Sequence, residues 1–461
     1  MPKETITQDA IPAVTKESPV TELEARVVRT LTLRLVPFLF LLYIVAYLDR
    51  INVGFAALQM QKQLSISDAA YGLGAGMFFA GYFFFQVPSN LVLERIGARR
   101  WIAFLMVVWG IVSASSALIT GERSLYAMRF LLGAAEAGFF PGVILYLKNW
   151  FPARARARTV ARFSTAGPLS GVVGGPLSGA LLGVHLRAGV AGWQWMFLME
   201  GIPAILLGLV AGKYLVDRPE DAPWLGGEEK AWLLGTLARE RAEMETAETD
   251  SSASAAAGRA NRGRFRSETF AAFRSGRIWM LVMVYFGLTT VSYGMSMWLP
   301  TLIKSLSGVG NFTIGVLSSI PYIAAAIAMV RVGLHSDRTG ERRWHTALPA
   351  FAGALALVVA AYTHSVGPVV VLLSVTVLGV FSMMGPFWAT PPALLPPAAV
   401  AAGIAFINSL GNLGGFFGPY TIGLMRTSTG GFRGGFLVVA ATLTVSGAVA
   451  LAVRPHKTQS T

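Results

Sequence analysis

Twelve apolar runs mark the chain, near residues 35–58, 71–93, 101–120, 124–147, 160–183, 193–215, 277–301, 313–335, 346–364, 367–389, 399–424 and 432–453. Each is long enough to cross a bilayer as a helix, which takes about 20 apolar residues. Six lie on either side of a polar stretch at 218–275. The pattern predicts an all-α integral membrane protein with twelve transmembrane helices in two six-helix bundles. Its predicted parts are a cytoplasmic tail at 1–34, a bundle at 35–217, a cytoplasmic central loop at 218–275, a second bundle at 276–453 and a cytoplasmic tail at 454–461. The first 30 residues are polar and hold no apolar core before a small-residue cleavage site, so the first span is expected to serve as an uncleaved insertion signal.

The two halves repeat one another. Glu94, Arg95, Gly97, Arg99 and Arg100 recur 243 residues later as Asp337, Arg338, Gly340, Arg342 and Arg343. At the same offset, Gly171, Gly175 and Pro176 become Gly414, Gly418 and Pro419. Two unrelated patterns with one offset indicate a duplicated unit, a construction common among secondary transporters. The bundles are therefore predicted to be related by a pseudo-two-fold axis.

Composition agrees with the pattern: 54% of residues are hydrophobic and 13% charged, and the mean hydropathy is +0.56. The 38 Lys and Arg settle orientation, because cytoplasmic loops collect them. With both termini inside, 30 fall on inside segments and six on outside ones, namely Lys62, Arg123, Arg187, Lys304, Arg426 and Arg433. The net charge of +14 is mostly this asymmetry, so no nucleic-acid partner is read from it. Cysteine is absent, which excludes disulfides and thiolate chemistry. Between the halves, a charged helix is expected from Gly226 to about Glu248. A flexible linker at 251–258 and the basic residues Arg259, Arg262, Arg264 and Arg266 should follow it.

Four charges carry the functional argument. Asp49 and Arg50 end an apolar stretch, while Arg129 and Glu136 lie seven residues apart on one face of the fourth span, about 10 Å from each other. A charge at bilayer depth is expensive unless paired or watered, so such groups usually face the bundle interior and mark a pathway. The competing reading places Asp49 and Arg50 at the outer interface and makes Arg129 and Glu136 a structural pair. At the repeat offset the four map to Ser292, Tyr293, Leu372 and Gly379, so the second half lacks the set. Two carboxylates can take up and release protons; two guanidiniums can clamp a carboxylate in bidentate fashion. Together they suit an anion carried with protons. Neutral partners are expected from Tyr293, Trp388, Asn408 and Asn412 in the second half and from Tyr47 and Tyr82 in the first. Helix-to-helix hydrogen bonding competes for the asparagines, and interfacial anchoring for the tyrosines.

Gly167, Gly171, Gly175, Gly179 and Gly183 recur every four residues and predict a close-approach helix face. The repeated loops, through Glu94, Arg95, Asp337 and Arg338, are expected to bind neighbouring helix ends and gate the transporter, with simple positive-inside anchoring as the competing reading. Glu200 is expected to pair near the outer start of the sixth span, with no transport role. The only Gly-Lys, Gly212-Lys213, lacks the rest of a phosphate-binding loop. The five histidines lack metal-ligand spacing. No catalytic residue, metal or cofactor is therefore assigned.

The chain resembles the major facilitator superfamily and, within it, the anion:cation symporter family. The superfamily's loop signature is matched by Glu94 to Arg100, with Glu where Asp is usual, and again by Asp337 to Arg343. The family resemblance rests on the runs from Tyr47 to Asn52, from Arg129 to Gly142 and from Asn408 to Gly415. What it implies is proton-coupled uptake of a small organic anion, such as a tartrate-like, aromatic or sugar acid, by a monomer in the cell inner membrane. Asp49 and Glu136 then look like the proton sites, and Arg50 and Arg129 like the substrate and coupling arginines. Drug efflux by proton antiport uses the same carboxylates and stands as the alternative; a non-transporting sensor is a third.

Overall fold

A computed structural model describes residues 22–184, 189–253, 275–395 and 397–453. The expected linker beyond Ala253, its four arginines, His185, Arg187 and most of both tails lie outside the described residues. The remainder is helical, with no strand among the described residues. Twelve rods can be traced in chain order. They are 22–63, Asp68–Ile96, Ala98–Leu118, Glu122–Trp150, 153–181, Gly192–Tyr214, Gly276–Leu306, Asn311–Thr339, Arg343–Ala360, Val366–Leu394, 397–429 and Arg433–Ala452.

Ten of these are long and apolar enough to cross a membrane, against the twelve spans read from sequence. The fifth and eleventh fall short for a physical reason. The fifth opens with Arg154, Arg156, Arg158 and Arg162 and breaks at Thr165, leaving the 16-residue helix Ala166–Leu181. The eleventh breaks between Gly411 and Gly414 into helices of 15 and 16 residues. Large apolar side chains such as Phe84, Val87, Phe104, Leu209, Leu355 and Val371 point outward and are exposed. Lipid, not water, is the solvent such a surface requires.

Rods three and six, two and four, and one and five pack together in the first half, and eight and ten, nine and twelve, and seven and eleven in the second. The halves meet along rods five and eight and along rods two and eleven. These two seams are mates under the repeat. A Cβ on Gly72 would meet the Pro419 carbonyl, and one on Gly315 would meet the carbonyl of Gly175, beside Pro176. This explains why Gly175-Pro176 and Gly418-Pro419 recur. Of the five regularly spaced glycines, Gly171 faces Tyr322, Gly175 faces Gly315 and Gly179 lies against Asn311, where a Cβ would come within 2.6 Å of backbone oxygen. A Cβ on Gly167 would meet nothing within 4 Å, and one on Gly183 would meet the Ala180 carbonyl of its own rod.

Both seams are tightest at the end of the molecule that carries the turns 64–67 and 307–310. There Arg426 pairs with Asp68 across the halves at 2.8 Å, and Thr427 Oγ1 accepts from Ala69 N at 2.9 Å. Trp298 Nε1 donates to the Pro419 carbonyl at 2.9 Å, within the second half, and Tyr71 donates to the Met297 carbonyl at 2.9 Å, across the halves.

The signature loops occupy the opposite end. Gly97 and Gly340 have φ of +87° and +68°, a backbone region that side chains disfavour, so glycine is required where each rod turns into the next. Arg99 donates to the Gly212 carbonyl at 2.9 Å, and Arg343 donates to the Leu451 carbonyl; each loop thus clasps the end of the last rod in its own half. A helix at Gly227–Ala253 follows the sixth rod and runs past Glu248, through Ser251 and Ser252, because no Gly or Pro interrupts it there. Glu240 ties this helix to Ala153 N at 2.8 Å, and Glu228 ties it to Arg26 at 3.0 Å.

Candidate substrate and proton site

The four charges converge at the centre of the first half, and all are buried: Asp49 is 0% exposed, Arg50 8%, Arg129 2% and Glu136 1%. Asp49 and Arg50 therefore do not sit at an outer interface. Helix interruptions put them there. The first rod changes helix at Asn52, and the fourth breaks at Ala137–Gly138, directly after Glu136. Gly138 is needed at that break because a Cβ would run into Ser89 Oγ.

Arg50 spends its donors on two partners. One nitrogen pairs with the Glu136 carboxylate, and the other donates to the Tyr293 hydroxyl at 2.8 Å. The rings of Tyr47, Phe78, Tyr82 and Tyr293 surround the guanidinium, with centroids 5.1–5.9 Å from it, close enough for cation–π attraction. Arg129, in contrast, does not bond Glu136 on its own helix. It donates to the carbonyls of Arg50 at 3.1 Å and Asp49 at 3.5 Å and lies 5.1 Å from the Phe78 ring. The structural pairing of Arg129 with Glu136 is thus replaced by two cross-rod contacts. Arg129 braces the backbone beside the interruption at Asn52, where a low-dielectric setting makes unpaired carbonyls costly. Asp49 Oδ1 accepts from Ser113 Oγ at 2.5 Å, and its other oxygen has no partner.

The second half contributes unequally. Tyr293 touches Arg50, as described. Trp388 stands at the break in the tenth rod, edge-on to Tyr285 with centroids 4.9 Å apart, and does not reach the charge cluster. Asn412 donates to the carbonyl and side-chain oxygen of Asn408 at 2.8 and 3.1 Å, so this pair is spent within its own rod and not between helices. Of the gating set, Glu94, Arg95 and Arg338 are exposed, and Asp337 pairs with Arg342 of its own loop at 2.6 Å.

Sequence reasoning passed over Phe78, Gln86 and Ser113. Gln86 accepts from Ser409 Oγ at 2.8 Å and so joins the halves near Tyr82. Phe78, Tyr82 and Gln86 are spaced by four, so helical periodicity from Tyr82 pointed to both neighbours. Ser113 gave no signal, since a lone serine in an apolar span is ordinary. Glu200, expected to pair near the outer start of its rod, pairs with no cation among the described residues; it is buried and accepts from Ser178 Oγ at 2.7 Å.

Residues 39–419 match the sequence profile of the Major Facilitator Superfamily. A protein of Agrobacterium vitis named "Putative tartrate transporter" is 48% identical over 430 residues, covering 93% of this chain and 95% of that one. A "Quinolone resistance transporter" of Acinetobacter baumannii is 40% identical over 414 residues, covering 90% and 92%. The crystal structure of a bacterial homolog of the human lysosomal transporter Spinster, inward-facing and unoccupied, shares the fold with a TM-score of 0.72 at 18% identity, covering 94% of this chain and 97% of that one. The profile spans most of the chain and the relatives nearly all of it, so the chain belongs to the Major Facilitator Superfamily and is a multi-pass membrane transporter, not an enzyme.

Proposed function

We propose that the protein is a proton-coupled symporter that brings a small organic anion across the bacterial inner membrane by alternating access. The observation that carries this reading is the Arg50–Glu136 pair. A substrate carboxylate can take both guanidinium hydrogen bonds only by displacing Glu136, and protonation of Glu136 removes its hold on Arg50. Proton and anion then bind together because one carboxylate replaces another on a single arginine. Tyr293 makes the exchange visible to the second half, since its hydroxyl binds the same guanidinium. Asp49, with one free oxygen, is the second proton site. Arg129 holds the backbone that carries Arg50, while Tyr47, Tyr82, Trp388, Asn408 and Asn412 are proposed to meet the substrate's remaining atoms during the cycle.

The 48% identical relative named for tartrate supports a carboxylate of that size. The charge asymmetry of the loops supports an orientation with both termini cytoplasmic. In that orientation the tightly packed end faces outward and the signature-loop end faces the cytoplasm, and the chain works as a monomer. Glu94, Arg95, Asp337 and Arg338 are proposed to engage across the halves when that inner end closes.

Efflux is the second reading, favoured by the relative named for quinolone resistance. Quinolones themselves carry a carboxylate, so the arginine site serves either direction, and only the coupling sign differs. Purified protein in liposomes distinguishes them. Symport is expected to accumulate tartrate, or another tested acid, when the outside is acidic. Accumulation of no acid under an inward proton gradient, with proton-driven extrusion instead, would overturn the uptake reading.

A further inference from the structure

Glu200 is a buried acid that the proposed coupling scheme does not use. It lies on the sixth rod, 4% exposed, where one oxygen accepts from Ser178 Oγ of the fifth rod at 2.7 Å. None of the ion pairs among the described residues includes it. The titratable group facing it is Asp49 of the first rod, and the polar side chain facing it is Asn52, at the interruption of that rod. Gly201 presses against the third rod at Gly110 and Ala114, beside the Ser113 hydroxyl that binds Asp49. Buried polar atoms also concentrate here: Asp49 Oδ2, Glu200 Oε2, both polar atoms of the Asn52 side chain and Trp109 Nε1. A polar seam therefore runs between rods one, three, five and six, through otherwise apolar packing.

Depth gives the seam a direction. Glu200 is eight residues from Gly192, the start of its rod at the tightly packed end, and a helix rises about 1.5 Å per residue, so it lies about 12 Å in. Asp49 is fourteen residues from Gln63, and Glu136 fourteen from Glu122, on rods with ends at the same face, about 21 Å in. Glu200 is thus about 9 Å nearer that face than the central acids. An ion at this depth is costly unless paired or reached by water. No counter-charge is present among the described residues, which is the setting of a group that takes up a proton and passes it on.

We propose that Glu200 is a further proton-carrying residue, an entry relay that receives protons from the outer face and hands them along the Asn52–Ser113 seam to Asp49. The proposal rests on the proton-coupled reading above and adds a route to it. The proton moves as such, from an acid oxygen to an acid oxygen through intervening hydroxyl or water, with no bond to carbon made or broken.

Two measurements test it on the full-length protein in liposomes. Infrared titration without substrate is expected to show a protonated-carboxyl band in wild type that is missing in Glu200→Gln; identical spectra would overturn the proposal. In transport, with tartrate as the probe, Glu200→Gln should exchange tartrate at equal pH within two-fold of wild type, yet lose at least ten-fold in uptake driven by external acid. Glu200→Asp should recover part of that uptake. Normal acid-driven uptake in Glu200→Gln, beside a coupled wild type, sinks the relay and leaves the coupling reading intact. Wild type that exchanges tartrate but ignores the gradient sinks the coupling reading, and the relay with it. Exchange lost in both the Gln and Asp variants assigns Glu200 a structural role and overturns the relay.

Discussion

Arg50 donates a hydrogen bond to the hydroxyl of Tyr293 at 2.8 Å, and the two residues are 243 positions apart, the offset that relates the two signature loops. They are repeat equivalents in contact. Equivalent residues of two halves related by a two-fold axis can touch only where that axis passes between them, so this bond lies on the axis. A rocking of one bundle against the other pivots around the central site where the halves meet. The bond therefore sits where motion is least, and it puts Arg50 of one half in contact with the half that carries no charge set.

Arg50→Lys keeps the charge but loses the planar fork that serves Glu136 and Tyr293, or a substrate carboxylate in place of Glu136. One charge-assisted bond is worth roughly 1.5–3 kcal/mol, so organic-acid affinity should fall by about 10- to 150-fold. Calorimetry on the purified proteins measures it. Equal affinities would remove Arg50 from the substrate site.

Glu136→Gln keeps the shape of the side chain but can neither ionise nor hold Arg50 as a salt bridge. Substrate exchange between loaded vesicles should continue, and its dependence on pH should flatten. Accumulation driven by a proton gradient should disappear. Accumulation at the wild-type level would transfer the coupling role to Asp49.

Orientation rests on the division of basic residues, 30 against six. A reporter fused after Arg218 or at the C-terminus should be active only in its cytoplasmic form. Periplasmic activity of either fusion would invert the assignment of the tightly packed end to the outside.

Most of the fold was legible because membrane helices announce themselves by length and hydropathy, and the duplication by its constant offset. The fifth and eleventh rods were legible as apolar runs, but not their breaks at Thr165 and Gly411–Gly414, which leave helices too short to span alone. At the site, the burial of Asp49, Arg50, Arg129 and Glu136 followed from the cost of intramembrane charge. Who pairs with whom did not. Arg129 and Glu136 share a helix face, yet the nearest acceptors for Arg129 are carbonyls of the first rod, a cross-rod geometry that spacing within one span cannot encode. The asparagine pair failed similarly, because a break at Gly411–Gly414 lets Asn412 turn back on Asn408.

The tightly packed end, outermost in the proposed orientation, is held by an ion pair and by bare backbone, and magnitude decides between them. The Asp68–Arg426 pair is partly exposed, with side chains 26% and 20% accessible, so it is worth about 0.2–1 kcal/mol. Arg426→Ala should then shift the balance toward an outward-open state only about 1.4- to 5-fold. Gly315 is different. A Cβ there would collide with the carbonyl of Gly175, and neither side of that contact is a flexible side chain that could move aside. Overpacking of this kind costs about 1–3 kcal/mol, so Gly315→Val should favour opening by about 5- to 150-fold. The chain has no cysteine of its own, which allows spin labels on cysteines introduced at Ser65 and Thr429 to report the outer gap directly. The population at long distance should grow little in Arg426→Ala and dominate in Gly315→Val. If the arginine variant opens the gap more than the glycine variant does, the ion pair, not the backbone contact, holds the outer end shut.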